Sequence, residues 1–397
     1  MPLIWLTGLL LPALYLLYLK NIKKPLLVLA KSDVYIWCMV LFLFVQILSV
    51  LFSVYQEYFT FDRLVAIMHN LVAFSFLILG YSIGYFQNAR EFLVRSLKGV
   101  LLFISLLCIA AFSYSILTAR YIDYSGIIQW LTGVESDFTK IVINQQGWIA
   151  GREFPRSVVM TTFPNSTALL LLAVFLSFFY YNPLSFHQKL FYGLLFVVAT
   201  ITTGSRNGTL IAMFLFVLQF VSNKRTFFLL VFIFPLVIVL GLWLVGMLSE
   251  LRKDSNETRF LLYWESIKYS MAHNPILGLG LKPKIAEIAN GDLPIGSHST
   301  LLGYFIKNGL LGGAMALFFY LYLIATAFLQ VCIPIFTRRP YYVRSLITAI
   351  GMVFFLLSLL FDDLDAFELI PFYFGFFLYT FKLNNERSAS RQAPLSA

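Results

Sequence analysis

The chain has 397 residues, of which 60% are hydrophobic and only 12% are charged. This composition excludes an ordinary soluble domain, because apolar runs of about 20 residues recur along the whole chain. The formal charge of +10 fits the basic cytoplasmic loops of a membrane protein and does not indicate nucleic-acid binding. Only helices and closed barrels satisfy the backbone in lipid, so we expect an all-α, polytopic transmembrane bundle.

Eleven apolar segments qualify as spans, which predicts a bundle of about 11–12 transmembrane helices. The segment at 299–333 is too long for one plain span, and we interpret it as a turn followed by a helix from about residue 308. No cleavable signal peptide is indicated, because residues 1–19 lack a basic start. In chain order the segments are 3–19, 34–54, 64–86, 99–117, 166–181, 189–203, 208–221, 226–248, 299–333, 345–361 and 369–381.

Lysine and arginine in the short loops indicate the orientation of the bundle. The 20–33 loop has four lysines, whereas the 362–368 loop has four acids and no base. Because basic loops stay in the cytoplasm, the alternation of loops places two long segments, about 118–165 and 249–298, outside the cytoplasm. We expect short amphipathic helices in both of these long loops.

The predicted organisation is one integral membrane domain, residues 1–382, followed by a disordered cytoplasmic tail, residues 383–397. The two long loops are rich in cations, although the orientation rule predicts few there. A cationic outer face of this kind suggests an anionic ligand, such as a phosphate or diphosphate. The alternative is that these side chains form a belt that contacts lipid head groups. The cations are Arg120, Lys140, Arg152, Arg156, Arg252, Lys253, Arg259, Lys268, Lys282 and Lys284.

The motif TTGSRNGT, residues 202–209, lies between two predicted spans at their outer ends. Gly204 and Gly208 permit a tight turn, and Ser205 or Asn207 can cap the next helix. Arg206 then lies at a helix N-terminus, where a guanidinium beside free N–H groups makes a strong anion site. The alternative is a capped turn with an arginine that extends to the head groups.

The segment GREFPRSVVMTTFPNSTALLLL, residues 151–172, leads from the first long loop into a span. Arg152 and Arg156 are four residues apart, so they share a face if this stretch is helical. Pro155 favours an extended or turning chain instead. Both arginines are candidates for binding a diphosphate, and the alternative is a basic rim over an apolar bundle.

The third motif runs from ETRFLLYWESIKYSMAHNPILGLGLKPK, residues 257–284, to GSHSTLLGYFIKNGLLGG, residues 296–313. Residues from 258 to about 273 have helical spacing of apolar side chains and are expected to lie along the membrane surface. NPILGLG then breaks the helix, and Lys282 follows as a further anion-binding candidate. His298 precedes the return into the membrane, where an imidazole can accept a proton from a hydroxyl. The alternative for His298 is a helix cap or an interface residue.

Other titratable residues offer less chemistry. Cys38, Cys108 and Cys332 fall within spans and are interpreted as packing residues, and no zinc-ligand spacing is present. The acidic turn at 362–368 offers Asp363 as an alternative base or sugar ligand, ranked below His298. The alternative interpretation of this acidic turn is a solvated cap.

In this order, TGSRNGT, FPNSTALLLL, TRFLLYW…NPILGLG and SHSTLLGYFIKNGLLGG resemble the O-antigen ligase/polymerase family of bacterial envelope glycosyltransferases. No single piece is specific, but the ordered set is, and it covers about residues 150–315. The resemblance implies a C-type membrane glycosyltransferase architecture in the inner membrane, with the active site facing the periplasm. The eleven spans counted here depart from the twelve that are common in the family.

The resemblance also implies substrates and roles. The donor is a glycan on undecaprenyl diphosphate, and the acceptor is another lipid-linked glycan for a polymerase or lipid A–core for a ligase. Arg206 and Arg259 match the family arginines that hold the diphosphate, and His298 matches the histidine that orients or deprotonates the acceptor hydroxyl. No cofactor, nucleotide sugar or divalent metal is implied, and expected partners are membrane lipids and a chain-length regulator.

Fixed guanidinium groups can stabilise a leaving diphosphate as a metal ion does elsewhere, which agrees with these roles. The SHST form of the histidine motif favours a polymerase over a ligase. A transporter or flippase of lipid-linked glycans predicts charges in mid-span and broken helices at the midplane, whereas here the charges concentrate at the outer edge. A non-catalytic scaffold predicts that Arg206, Arg259 and His298 tolerate replacement.

Overall fold

The computed structural model describes residues 34–55, 61–124, 141–149, 152–161, 163–221, 253–280, 282, 295, 299–336, 343–360 and 369–390. Within these ranges the chain forms ten helices and three strands. They are α1 (Val34–Tyr55), α2 (Phe61–Ile83), α3 (Gln87–Thr118), β1 (Asp123–Tyr124), β2 (Val142–Ile149), β3 (Arg152–Val159), α4 (Pro164–Tyr181), α5 (Phe186–Thr202), α6 (Arg206–Leu218), α7 (Lys253–His273), α8 (Thr300–Phe336), α9 (Val343–Leu359) and α10 (Leu369–Ser390).

The helical prediction is confirmed for nine of the eleven apolar segments, each of which coincides with one helix. The other two, 3–19 and 226–248, lie outside the described residues. By length and composition, three of the described helices are long and apolar enough to cross a membrane: Gln87–Thr118, Pro164–Tyr181 and Thr300–Ile333. These helices identify the chain as an integral membrane protein.

The chain divides into two compact units. The first unit comprises Met1–Ile83, Asn256–Leu323 and Leu359–Phe376. The second unit comprises Gly84–Ser255, Ile324–Ser358 and Phe377–Ala397.

In the first unit, α2 and the start of α10 approach each other at glycines. A Cβ added at Gly80 would lie 1.9 Å from the carbonyl oxygen of Phe372, and one at Gly375 would lie 2.1 Å from that of Leu77. The absence of side chains at both positions therefore lets the two backbones touch, as small residues do between membrane helices.

In the second unit, α4 is the central helix. Nearly every side chain along Pro164–Tyr181 is buried, including Leu170 and Leu171 at 0% exposure. A helix that is apolar on all sides is expected to be surrounded by other elements rather than by water. Phe175 stacks on Phe196 of α5 with ring centroids 4.3 Å apart, and Gly351 of α9 lies against the side chain of Leu176.

The first long segment contains a three-stranded antiparallel sheet in the order β1-β2-β3. The sequence predicts short helices in this segment, and that prediction is wrong for its described residues. Pro155 explains part of the difference, because it removes a backbone donor and disrupts a helix interior. Pro155 is tolerated here because β3 is the last strand in the described sheet, where a missing N–H costs no ladder bond.

A buried polar network attaches this sheet to α3. The hydroxyl of Ser115 donates to Asn144 Oδ1 at 3.0 Å, and Asn144 Nδ2 donates to Ser157 Oγ at 3.4 Å. Ser157 in turn donates to the carbonyl oxygen of Cys108 at 2.9 Å. β2 and β3 are therefore held to a membrane helix by specific hydrogen bonds in addition to apolar packing.

We expect Ser157→Ala to lower the free energy of unfolding by about 1–3 kcal/mol, because Asn144 Nδ2 then loses its buried acceptor. Thermal unfolding of the protein in detergent measures this change. Ser96→Ala is the matched control, since the part-buried Ser96 hydroxyl bonds, among the described residues, only to Leu93 O of its own helix, at 2.8 Å. Equal stability of the two variants would contradict the anchoring role of the network.

The end of α10 corrects the predicted tail. Residues 383–390 continue the helix to Ser390 and are not a separate disordered segment. Asn384 explains the extension, because it is 1% exposed and its amide donates to Gln330 Oε1 at 2.6 Å and to Ser345 O at 3.2 Å. These tertiary hydrogen bonds hold the last turns of α10 in place.

Candidate functional site

The turn between α5 and α6 has the capped form that the sequence predicts. Gly204 has a φ of +62°, and its N–H donates to Ile201 O at 2.9 Å, which ends α5. Ser205 is the N-cap of α6, and its hydroxyl accepts the N–H of Gly208 at 3.3 Å. Gly208 also lets α6 approach α4, because a Cβ there would lie 2.7 Å from Ala168 Cβ.

Arg206 is the first residue of α6, and its side chain is exposed. It forms no hydrogen bond or ion pair with any residue that the structure describes. A cation at a helix N-terminus is opposed by the helix dipole, so helix stability does not explain its presence there. The guanidinium is therefore available to an anion, which the same helix end would also attract.

Arg156 connects the two arginine motifs of the second unit. Its Nε donates to Thr203 O at 3.0 Å, and one of its Nη atoms donates to Asn165 Oδ1 at 3.2 Å. The structure thus brings the 151–172 segment and the TTGSRNGT turn together. Arg156 is half-buried on an extended strand, as Pro155 indicates, and the backbone of Arg152 begins that strand.

The helix predicted from residue 258 to about 273 is present as part of α7, Lys253–His273. Its predicted apolar residues lie on the exposed face, with Trp264 at 52% and Met271 at 46% exposure. The opposite face of α7 packs against the start of α8 in one hydrophobic cluster. The cluster consists of the buried residues Leu262, Ile295 and Ile306 and the partly buried residues Tyr269, Leu279, Leu302 and Phe305. The helix that carries Arg259 and the helix that follows His298 therefore share one core.

Ser299 immediately precedes helix α8, and its hydroxyl accepts the N–H of Leu302 at 3.3 Å. The sequence predicts a turn up to about residue 308, and this is wrong, because residues 300–308 are helical. The backbone breaks at Gly309, with φ 63° and ψ −159°. The predicted start of a long helix near residue 308 agrees with this break, and we call residues 300–308 the short arm and 310–336 the long arm.

The break leaves two carbonyl groups of α8 without helical hydrogen-bond donors. The NPILGLG turn supplies donors for both of them. Leu279 N donates to Ile306 O at 2.8 Å, and Gly280 N donates to Lys307 O at 2.8 Å. In an unbroken helix these oxygens would accept from residues four positions later. The turn therefore replaces the missing helical donors.

Carbonyl groups of the same turn accept hydrogen bonds from the two amide groups that the break leaves without helical acceptors. Leu310 N donates to Pro275 O at 2.7 Å, and Leu311 N donates to Ile276 O at 3.3 Å. We call this pairing of residues 275–280 with 306–311 the interlock. Irregular backbone is tolerated in a membrane protein only where other groups satisfy it, and the interlock meets that requirement.

Glycines and one serine complete the interlock. A Cβ at Gly278 would lie 2.3 Å from Gly309 N, so the two backbones are in direct contact. Ser49 of α1 directs its hydroxyl at Leu277 O and at Lys307 O, the latter at 3.0 Å. α1 therefore holds both partners of the interlock.

Two polar residues of the interlock were not singled out in the sequence. Lys307 is 6% exposed and Asn308 is 3% exposed. An ionisable residue within an apolar run is costly in a membrane and is itself a signal of function. That signal, the KNG triplet inside a hydrophobic segment, was available in the sequence.

The remaining candidates are placed less completely. The backbone of Arg259 lies in α7, one turn before Leu262, and Lys282 follows the interlock and is half-buried. His298 and Asp363 lie outside the described residues. Over the described ranges, no three His, Cys, Asp or Glu residues are grouped as metal ligands would be.

Comparison with known proteins adds one finding. Residues 191–317 match the family model of the O-antigen ligases. The matched segment runs from α5 to the long arm of α8, so it includes the turn with Arg206, all of α7 and the interlock. No curated protein matches the chain.

Proposed function

Residues 191–317 assign the chain to the O-antigen ligase/polymerase family, and from this we propose a membrane glycosyltransferase. It moves a glycan from an undecaprenyl-diphosphate carrier to an acceptor sugar hydroxyl at the periplasmic face of the inner membrane. Its first candidate activity is that of a polymerase of O-antigen or a related surface polysaccharide. The ligase that attaches the glycan to lipid A–core is the alternative within the family.

The proposed reaction exchanges one bond at the anomeric carbon. The acceptor hydroxyl oxygen forms a bond to this carbon while the bond to the diphosphate oxygen breaks and its electron pair leaves with the diphosphate. Arg206 and Arg259 stabilise the negative charge that develops on the leaving group. His298 takes the proton of the acceptor hydroxyl, so no metal ion is needed for the step.

The observation that carries the proposal is that the family match includes Arg206, Arg259 and His298. The exposed Arg206 supports it, because a guanidinium at a helix N-terminus with no partner among the described residues suits an anionic substrate. Arg152, Lys282 and Asp363 remain candidates for holding the diphosphate or the sugar. Arg156, the fourth candidate from the sequence, donates hydrogen bonds to Thr203 and Asn165.

A transporter or flippase of lipid-linked glycans is the second candidate function. The break in α8 and the buried Lys307 favour it, since transporters use broken helices and ionisable residues within spans. The two functions differ in whether a glycosidic bond is made, so product analysis distinguishes them.

The test is the surface glycan profile of a deletion strain that carries wild type, Arg259→Ala or His298→Ala at matched expression. We expect wild type to restore a ladder and both variants to leave a single repeat unit on lipid A–core, which identifies a polymerase. Bare core with long lipid-linked polymer would identify a ligase instead. A full ladder in both variants would contradict the catalytic assignment and favour a transporter or scaffold.

A further inference from the structure

Arg156 projects from a strand whose position is fixed independently of the TTGSRNGT turn. Side chains alternate between the two faces of a strand. Ser157, the next residue, is 0% exposed and bonds to Cys108 O of α3. The neighbouring Val159 is held as well, because its N–H donates to Thr167 Oγ1 of α4 at 3.2 Å. Arg156 therefore extends from a rigid base toward the turn.

The guanidinium of Arg156 then joins this base to two helix ends. Nε bonds to the carbonyl oxygen of Thr203, the residue after α5, and an Nη atom bonds to Asn165 at the start of α4. A guanidinium is planar and presents its donors in a fixed geometry, so the two bonds determine the relative position of their acceptors. A lysine has one nitrogen and cannot reproduce both directions.

The turn has no side chain where Arg156 crosses it. A Cβ added at Gly204 would lie 2.9 Å from Arg156 Nε and 3.1 Å from the ring of Phe154. Gly204 therefore permits both the left-handed turn and the close approach of the guanidinium. The contact therefore depends on both residues, because Arg156 supplies the guanidinium and Gly204 leaves the space for it.

Two residues after Gly204 the chain reaches Arg206, which has no partner of its own among the described residues. The backbone of the turn alone determines where its side chain starts. We propose that Arg156 is a positioning residue for Arg206, and that it acts by holding the 203–205 turn rather than by binding the diphosphate. This inference rests on the proposed role of Arg206 in glycan transfer.

A structural test does not depend on activity. In Arg156→Met, which keeps the apolar stem but has no donors, we expect amide hydrogen exchange of residues 203–206 to become faster. Arg95→Met is the matched control, because Arg95 is also on the second unit and its side chain is 82% exposed. Unchanged exchange in Arg156→Met would overturn the proposal even if the enzyme proves inactive.

A kinetic test separates positioning from binding, with the purified full chain and an undecaprenyl-diphosphate glycan as donor. We expect Arg156→Met to lower kcat by about 10- to 100-fold with little change in KM for the donor, as misplacement of a catalytic group does. Asn165→Ala should give part of the same loss, and Arg156→Met should add nothing further in an Arg206→Ala background.

Direct binding of the diphosphate by Arg156 predicts the opposite pattern. The donor KM would then rise, Asn165→Ala would have no effect, and the losses of Arg156→Met and Arg206→Ala would multiply. Any of these results would overturn the positioning role. Absence of transfer by wild type would instead contradict the proposed function and leave the exchange test to decide the structural claim.

Discussion

Gly309→Ala is expected to lower the free energy of unfolding by roughly 3 kcal/mol or more and to abolish function. Its φ of 63° and ψ of −159° lie in a region that is essentially reserved for glycine. The new Cβ would also lie 2.3 Å from Ile276 O and 2.6 Å from Gly278 N. These contacts are to backbone atoms, which cannot rotate away as a side chain can.

The measurement is thermal unfolding in detergent together with the yield of monodisperse protein. Gly99→Ala is the control, because a Cβ at this exposed position of α3 meets no atom within 4 Å. We expect the control to be stabilised by about 0.5–1 kcal/mol through helix propensity. A Gly309→Ala protein as stable as Gly99→Ala would mean that the interlock is not required for the fold.

Arg206→Ala is expected to reduce kcat for glycan transfer by about 100- to 1,000-fold while leaving stability unchanged or slightly higher. The rate falls because a charge that stabilises the leaving diphosphate is removed. Stability is maintained because the exposed side chain has no partner among the described residues and its charge opposes the dipole of α6. The measurement compares release of undecaprenyl diphosphate with thermal unfolding of the same preparation.

Arg206→Lys separates charge from geometry in this prediction. It retains a cation but not the planar set of donors, so an intermediate rate is expected. Lys98→Ala serves as the control, since Lys98 is an exposed cation of the same unit, with its Nζ 5.9 Å from the centre of the Tyr192 ring. Arg206→Ala with the wild-type rate would remove Arg206 from the catalytic step.

The turn between α5 and α6 shows how far local chemistry determines a site. Two glycines, a capping serine and an arginine within a few residues suffice to predict a tight turn, an N-cap and a cation at the helix start. The structure confirms each of these features for Gly204, Ser205 and Arg206. They could be predicted because every interaction involved joins residues that are close in sequence.

The role of Arg156 shows the opposite case. The sequence identifies it as a cation near a membrane span and a candidate for binding an anion, whereas in the structure it donates hydrogen bonds to Thr203 and Asn165. The partners are 47 and nine residues away in sequence, and strand β3 that presents it depends on pairing with β2. No periodicity within the 151–172 segment specifies that pairing.

The amino-acid sequence alone determined the apolar helical segments, the capped turn and the family resemblance. It could do so because hydropathy, helix length and capping are properties of adjacent residues. The tertiary structure alone decided that 300–308 is helical, that 383–390 continues α10 and that the first long segment contains a sheet. In each case the backbone or side-chain groups are satisfied by partners distant in the chain. For the short arm those partners are the carbonyl and amide groups of 275–280, which only the folded chain brings within hydrogen-bonding distance.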